Sequence, residues 1–404
     1  MKRSYGEGSI DARGQNCWRL RYRINRQRFS KTFHGTRTEA GKELRRLLRS
    51  GDTGEHVAPD KLTLAQWMDT WLALLERKPD AAMQKRARRR GLVNPRTAQR
   101  YAELLRLYVV PRLGARPLQQ LAPTEVDQLY IALEEVISAR TVHHVHTVLK
   151  ACLDAAVRKG RLSSNPVAKA EAPSPGEAYV GMTLDEEQLA ALVRGFRSSS
   201  LYLIVATASF TGARRNEILA LRWSDLDVTA KTLRIERAIE ETKAYGRILK
   251  EPKTARGRRM IQIDDDLLRL LLDERDRYKR IVAGVPDGTD IDLSLIKLPS
   301  DALMFPAPAM AGERFDLARL RDVNAVTRGF KRKARKLDFP KLRLHDLRGS
   351  HETILLERGV PVHVVAARCG HDPAVLLRSY AKRTRKADTS AAGVIGALSK
   401  GILS

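Results

Sequence analysis

Six side chains in the C-terminal half of this 404-residue sequence have the types and spacing of a site that handles phosphate. Arg214 stands in Thr211-Gly-Ala-Arg-Arg-Asn-Glu217, where Gly212 supplies a permissive turn and the next segment reads as a helix. An arginine presented from the N-terminal end of that helix works beside main-chain amides that favour anions. His345 and Arg348, in His-Asp-Leu-Arg-Gly-Ser-His351, are three apart and share a helical face, with His351 further along. Gly370-His371 is followed nine residues later by Tyr380 in Leu-Arg-Ser-Tyr-Ala. Lys253 lies in Pro-Lys-Thr-Ala-Arg-Gly-Arg-Arg, which reads as a turn between two strands, with Lys243 and Lys250 close by. Cleaving a phosphodiester needs a nucleophile, charge stabilisation on the phosphoryl oxygens and a proton for the leaving alkoxide, and these residue types supply all three. Each segment alone has a plainer reading. Arginine is common at helix starts in basic proteins, and Tyr380 would suit an amphipathic helix resting on a core.

The charge of the chain narrows the partner. There are 74 basic and 47 acidic residues, a net charge of +27, and such an excess is most simply explained by a polyanion. No apolar run approaches the ~20 residues of a membrane span, and Met-Lys-Arg-Ser-Tyr-Gly does not read as a signal peptide. Cys17, Cys152 and Cys369 are odd in number and far apart, without metal-ligand spacing. A reduced, cytoplasmic, nucleoid-associated chain working on nucleic acid is expected, with no membrane partner.

Several elements must position the six residues. Residues 1–55 read as a small unit in which Trp18, Leu20, Tyr22 and Ile24 alternate with Arg19, Arg21 and Arg23, the period of a half-buried strand. Phe29 and Phe33 continue a second strand, and Thr36 with Glu39 fits a capping box opening a helix to about Leu48. Through residue 50 there are 14 basic and 4 acidic side chains, so a DNA face of Arg19, Arg21, Arg23, Arg28 and Lys31 is expected rather than a merely solvated one. Residues 60–165 read as four helices, the second opened by Asn94-Pro95 and stopped by Pro111, with a basic stretch Lys85 to Arg90 before it. His143, His144 and His146 on the last of these helices lack ligand spacing, so no metal is expected. Residues 166–182, with Pro166, Pro173, Pro175 and Gly176, read as a linker, and Thr183 to Glu186 as a second capping box. Residues 183–390 mix helices with strands near Leu233 to Ala238, Arg247 to Leu249 and Arg259 to Ile263, and with a long loop near Gly284 to Ser300.

At these residues the chain resembles the tyrosine recombinases of the phage-integrase type. That family carries an arginine in T-G-x-R-x-x-E, a lysine in a β-hairpin, H-x-x-R, a histidine or tryptophan after a glycine, and a tyrosine nine residues beyond. All occur here in order across about 170 residues, although Gly349 stands where many relatives have histidine. The resemblance covers nearly the whole chain, most strongly 183–385, and implies a multidomain α+β fold of the three-domain integrase subgroup. Its parts are a small three-stranded β-sheet plus helix that binds arm-type DNA (1–55), a helical-bundle core-binding domain (60–165), and a mainly α catalytic domain with a small β-sheet (183–390). The tail 391–404 is expected to dock on a neighbouring protomer, because Val394, Ile395, Leu398 and Ile402 form an apolar stripe.

The resemblance also implies roles. Tyr380 is the nucleophile that forms a 3′-phosphotyrosine, Arg214 and Arg348 clamp the non-bridging oxygens, and Lys253 is the general acid for the 5′-hydroxyl. His345 is base and hydrogen-bond partner, and His371 a further donor to the phosphate. Glu217 is expected to orient a neighbour rather than touch substrate, and His351 is either a supporting or a merely structural histidine. Arginines, lysine and histidines do the electrostatic work, and the covalent intermediate conserves the bond energy, so no cofactor is expected. The expected activity is integration and excision at core and arm sites of double-stranded DNA by a homotetramer, assisted by a host DNA-bending protein and an excisionase. The alternatives are a chromosome or plasmid dimer resolvase, against which the basic N-terminal unit argues, and a catalytically silent DNA-binding regulator, which would form no covalent adduct.

Overall fold

The alternating apolar and arginine residues make β2 (Cys17–Ile24), flanked antiparallel by β1 (Ser9–Gly14) and β3 (Gln27–His34). Leu20, Tyr22 and Ile24 pack with Ala40, Leu44 and Leu47 of α1 (Arg37–Asp52) into a small core. The start of α1 is fixed reciprocally: the Thr36 amide donates to Glu39 Oε2 (2.8 Å) and the Glu39 amide to Thr36 Oγ1 (3.3 Å). The computed structural model describes residues 8–24, 27–52, 57–75, 93–177, 181–251, 257–286, 288–310 and 312–381. Lys253, the basic stretch 85–90 and the tail 391–404 lie outside them. The chain divides into two compact units, Met1–Ala178 and Tyr179–Ser404.

The first unit holds a second core, built by α2 (Leu64–Leu75), α3 (Pro95–Leu104), α4 (Pro123–Glu134) and α5 (Ala139–Arg158). Trp67 is buried there and its indole N–H donates to the Cys152 carbonyl at 3.0 Å. Asn94 caps α3 ahead of Pro95. Pro111 does not stop this helix as expected. A π turn, Leu105–Val109, precedes it, and helix continues through Val110–Leu113. Proline lacks an N–H and crowds the carbonyl one turn back, and the widened turn accommodates both defects. The start of the expected linker is packed: Val167 is fully buried, and Asn165 just before the linker donates from Nδ2 to Asp154 Oδ1 at 2.7 Å.

In the second unit, α6 (Glu186–Gly195) is capped by Asp185 with Gln188, not by Thr183. The intervening Leu184 is buried in the core, which leaves Asp185 as the residue at the helix mouth. The apolar α7 (Tyr202–Thr211) lies within this core, and the four-residue α8 (Arg215–Ile218) follows the Gly212 turn. Five strands come next: β4 (Leu226–Asp227), β5 (Thr232–Ile235), β6 (Ala238–Thr242), β7 (Gly246–Lys250) and β8 (Arg259–Gln262). β4, β5 and β8 form one sheet, while β6 and β7 form a separate hairpin, so the expected strand from Leu233 to Ala238 is in fact two strands broken after Ile235. The helices α9 (Asp265–Ala283), α10 (Val323–Lys336), α11 (Asp346–Glu357), α12 (Val362–Cys369) and α13 (Pro373–Ala381) complete the unit. Phe196 stacks on Phe330 of α10 with ring centroids 5.4 Å apart, tying the α6 end to α10. No helix among the described residues is long and apolar enough to cross a membrane.

Candidate active site

Three turns converge in the second unit. The first follows α7, where Gly212 takes a left-handed φ of 64°. A Cβ there would lie 2.7 Å from His351 Cδ2 and 3.0 Å from Cys369 Sγ, so only glycine permits the approach. Its carbonyl accepts from Arg348 Nη1 at 2.7 Å. The second turn is the end of α12, where Gly370 is also left-handed (φ 67°). There the Cys369 carbonyl accepts from Arg348 Nη2 (2.6 Å) and the Gly370 carbonyl from Arg214 Nη2 (3.1 Å). The third is the entry to α11, with His345 at its N-cap and Arg348 in its first turn. Both arginines therefore point into one place, held by main-chain oxygens on either side.

Arg348 is almost wholly buried, with 2% of its surface exposed. The carbonyls take one N–H from each of its terminal nitrogens, and a second remains on each. Arg214 is partly exposed and held by Glu217: its amide donates to Oε2 (2.9 Å) and its Nη1 to Oε1 (2.8 Å). Spare donors on both guanidiniums are what a phosphate's non-bridging oxygens require. Burial works to raise the Glu217 pKa, but Arg259 and then Arg214 outweigh it and hold the carboxylate below its ordinary range.

His345 stands at the mouth of α11 beside this cluster, its residue surface open but its ring crowded by protein, so desolvation and then the Arg348 charge keep its pKa below the ordinary histidine value. His371 follows the Gly370 turn, with Nε2 3.2 Å from Arg348 Nε. His351 sits apart from the two arginines. Its Nδ1–H donates to the Ser209 carbonyl (2.9 Å) and its Nε2 accepts from Arg368 Nε (3.1 Å). Burial, then the Arg368 charge, pushes its pKa down to about 4, so it is a neutral strut between α11 and α7. Tyr380 lies in the last turn of α13, and Leu376 of that helix is buried with Val365 and Ala366 of α12. Lys253 falls in the connection from β7 to β8, outside the described residues.

Three features of this unit were not read from the sequence. Arg259 Nη2 donates to Glu217 Oε2 (2.8 Å) and its Nε to the Arg368 carbonyl (2.7 Å), so β8 braces the site from below. Glu352 is buried one turn after Arg348. On α10 the exposed Arg328, Lys331, Arg332, Arg335 and Lys336 make a basic face, for which the run Arg-Gly-Phe-Lys-Arg-Lys-Ala-Arg-Lys was a legible signal. Arg259 and Glu352 gave none, since pairing of a strand arginine with a helix glutamate is a tertiary fact.

In the first unit, β-register decides the arginine face. Arg19, Arg21 and Arg23 lie opposite Thr32, Ser30 and Arg28, so the four arginines share one side of the sheet. Lys31 lies opposite Leu20 on the other side, and its Nζ contacts Glu43 of α1 at 2.8 Å. The structure therefore groups the arginines without Lys31.

Comparison with known proteins agrees with this architecture. The phage integrase central domain profile matches residues 80–172. A tyrosine recombinase XerC-like protein of Caldanaerobacter subterraneus subsp. tengcongensis is 24% identical, over 89% of this chain and 90% of its own. The fold is similar to that of the Tn1549 transposon integrase in complex with a circular intermediate DNA (TM-score 0.59, 17% identity, 83% of this chain and 99% of that one). It is also similar to lambda integrase in a tetramer bound to a Holliday junction (TM-score 0.52, 16% identity, 90% and 95%). The ordered motifs, the fold and the similarity along most of the chain are those of the tyrosine recombinases of the phage-integrase type.

Proposed function

We propose that the chain is a site-specific DNA recombinase that integrates and excises a mobile element. The observation that carries this reading is the convergence of Arg214 and Arg348, from distant segments, on the carbonyls of Gly212, Cys369 and Gly370 beside His371. A pair of fork-shaped cations with spare N–H groups suits the trigonal-bipyramidal phosphorus of a phosphoryl transfer. In the reaction, the Tyr380 oxygen forms a bond to phosphorus while the bond to the 5′ oxygen breaks. Lys253 delivers a proton to that oxygen, and His345 takes up or shares the phenolic proton. A 5′-hydroxyl from a second strand then displaces the tyrosine, which restores the phosphodiester without an external energy source.

Recombining two duplexes requires four such sites, and the tetramer of the similar lambda integrase on a Holliday junction supports a tetramer assembled on DNA here. Residues 1–55 contact arm DNA through Arg19, Arg21, Arg23 and Arg28, residues 60–165 hold the core site, and 183–390 carry the chemistry. The basic face of α10 adds sequence-independent phosphate contacts. A host DNA-bending protein and an excisionase set direction, and the tail 391–404 docks on a neighbouring protomer. The protein acts on chromosomal DNA in the cytoplasm.

The test is plasmid recombination between paired attachment sites taken from the element that encodes the chain. Product is expected with the full chain. Removing residues 1–55 should abolish arm-site binding and spare cleavage of the isolated core site. DNA binding without any recombinant product would favour a silent DNA-binding regulator.

A further inference from the structure

Glu352 has no part in the roles above, yet it is the acidic group set deepest in the site. Its side chain is 3% exposed, and Oε1 lies 3.1 Å from Arg348 Nε and 2.8 Å from His371 Nε2. The four-residue spacing on α11 puts it on the face of Arg348, one turn deeper. The Nε2 of His371 also lies 3.2 Å from Arg348 Nε, in line to accept from it.

One ring nitrogen carries either a proton or a lone pair. It cannot accept from Arg348 and donate to Glu352 at once. If Nε2 held a lone pair, that pair would face a carboxylate oxygen at 2.8 Å, a repulsive contact in a water-poor site. If Nε2 holds the proton, that proton lies toward Oε1 across the shortest of the three distances, and Arg348 forms an ion pair with the same oxygen. The second arrangement pairs opposite charges at both Oε1 contacts, at the expense of the Arg348 Nε to His371 Nε2 hydrogen bond. It also accounts for an acidic residue at this depth: the Arg348 cation compensates its charge, and the carboxylate holds that guanidinium against rotation about its Nε.

Resting on the recombinase reading, we propose that Glu352 is the positioning residue of the site: it fixes His371 as the Nε2–H tautomer and locks the Arg348 fork. The nitrogen of His371 left to meet the DNA phosphate or the attacking phenol is then Nδ1. The catalytic groups remain Arg214, Lys253, His345, Arg348, His371 and Tyr380, and Glu352 acts through two of them.

The experiment combines ¹⁵N spectra of histidine-labelled full-length protein with single-turnover cleavage of a nicked core-site duplex at saturating protein. His371 is assigned by loss of its signals in His371→Gln. Wild type is expected to show the Nε2–H pattern. Glu352→Ala should lose that pattern and cleave at least about tenfold more slowly with core-site affinity unchanged, as expected when two buried donors lose their acceptor. Glu352→Gln keeps an acceptor oxygen, and should retain the pattern and recover most of the rate. An Nδ1–H pattern in wild type, or unchanged spectrum and rate in Glu352→Ala, would overturn the proposal. If Glu352→Ala does not fold, the wild-type tautomer and the glutamine variant still decide. Failure of the recombinase reading is recognisable separately, because wild type would then form no covalent adduct whichever tautomer it shows.

Discussion

Replacing Glu217 by alanine removes a buried carboxylate that serves three donors at once: the Arg214 amide, Arg214 Nη1 and Arg259 Nη2. The consequence falls mainly on Arg259, whose side chain is 6% exposed. It keeps its bonds to the carbonyls of Arg368 and Gly257 but loses its only ion-pair partner among the described residues. Leaving one member of a buried ion pair without its partner costs about 3–5 kcal/mol. For a unit the size of Tyr179–Ser404 this corresponds to a fall of about 6–20 °C in Tm. Scanning calorimetry of the full chain reads it directly, with Glu217→Ala/Arg259→Met as the second arm. That double variant removes both charges and should recover more than half of the loss. The carboxyl is held below its ordinary pKa, so its contribution is complete above the unfolded-state carboxyl pKa and is lost as pH falls through the lower folded value. The gap between wild type and Glu217→Ala should therefore narrow in acid. A Tm shift below about 2 °C at neutral pH, or a double variant no better than the single one, would refute the reasoning.

Two further outcomes follow from other parts of the chain. His351 is neutral when folded, with its pKa lowered from 6.5 to about 4, so the unfolded state binds the extra proton between those values. Stability should be full above pH 6.5 and decline toward pH 4, by about 3 kcal/mol at most for this group, and His351→Asn should flatten that part of a urea-midpoint profile. On the N-terminal sheet, Arg23→Ala with Arg28→Ala should weaken arm-DNA binding and reduce the slope of log K against log salt by about 2. Lys31→Ala, on the opposite face beside Glu43, should leave the slope unchanged, and equal effects from both faces would contradict the register argument.

The site was legible in the sequence to the extent that chemistry confines residues to short motifs. Arg214, His345, Arg348 and His371 sit in segments whose spacing survives as turns and single helices, so the approach of these four was readable. The partners that hold them were not. Glu217 was seen but its second cation, Arg259, comes from a strand 42 residues on, and Glu352 meets His371 across two helices. Only packing creates such pairs. Local errors have local causes: Pro111 read as a helix stop because a one-dimensional pattern does not contain a π turn, and Thr183 read as a cap because the burial of Leu184 was invisible. Lys31 was placed with the arginines by composition, whereas the two-residue period of the strand assigns it to the other face.

The most direct test of the central claim is capture of the covalent intermediate on a nicked suicide duplex bearing the core site. Wild type should give a protein–DNA adduct that survives denaturing electrophoresis, and nuclease trimming followed by peptide mass spectrometry should place the nucleotide on Tyr380. Tyr380→Phe should bind the same DNA and form no adduct. An adduct in the phenylalanine variant, or none in wild type despite tight binding, would contradict the account.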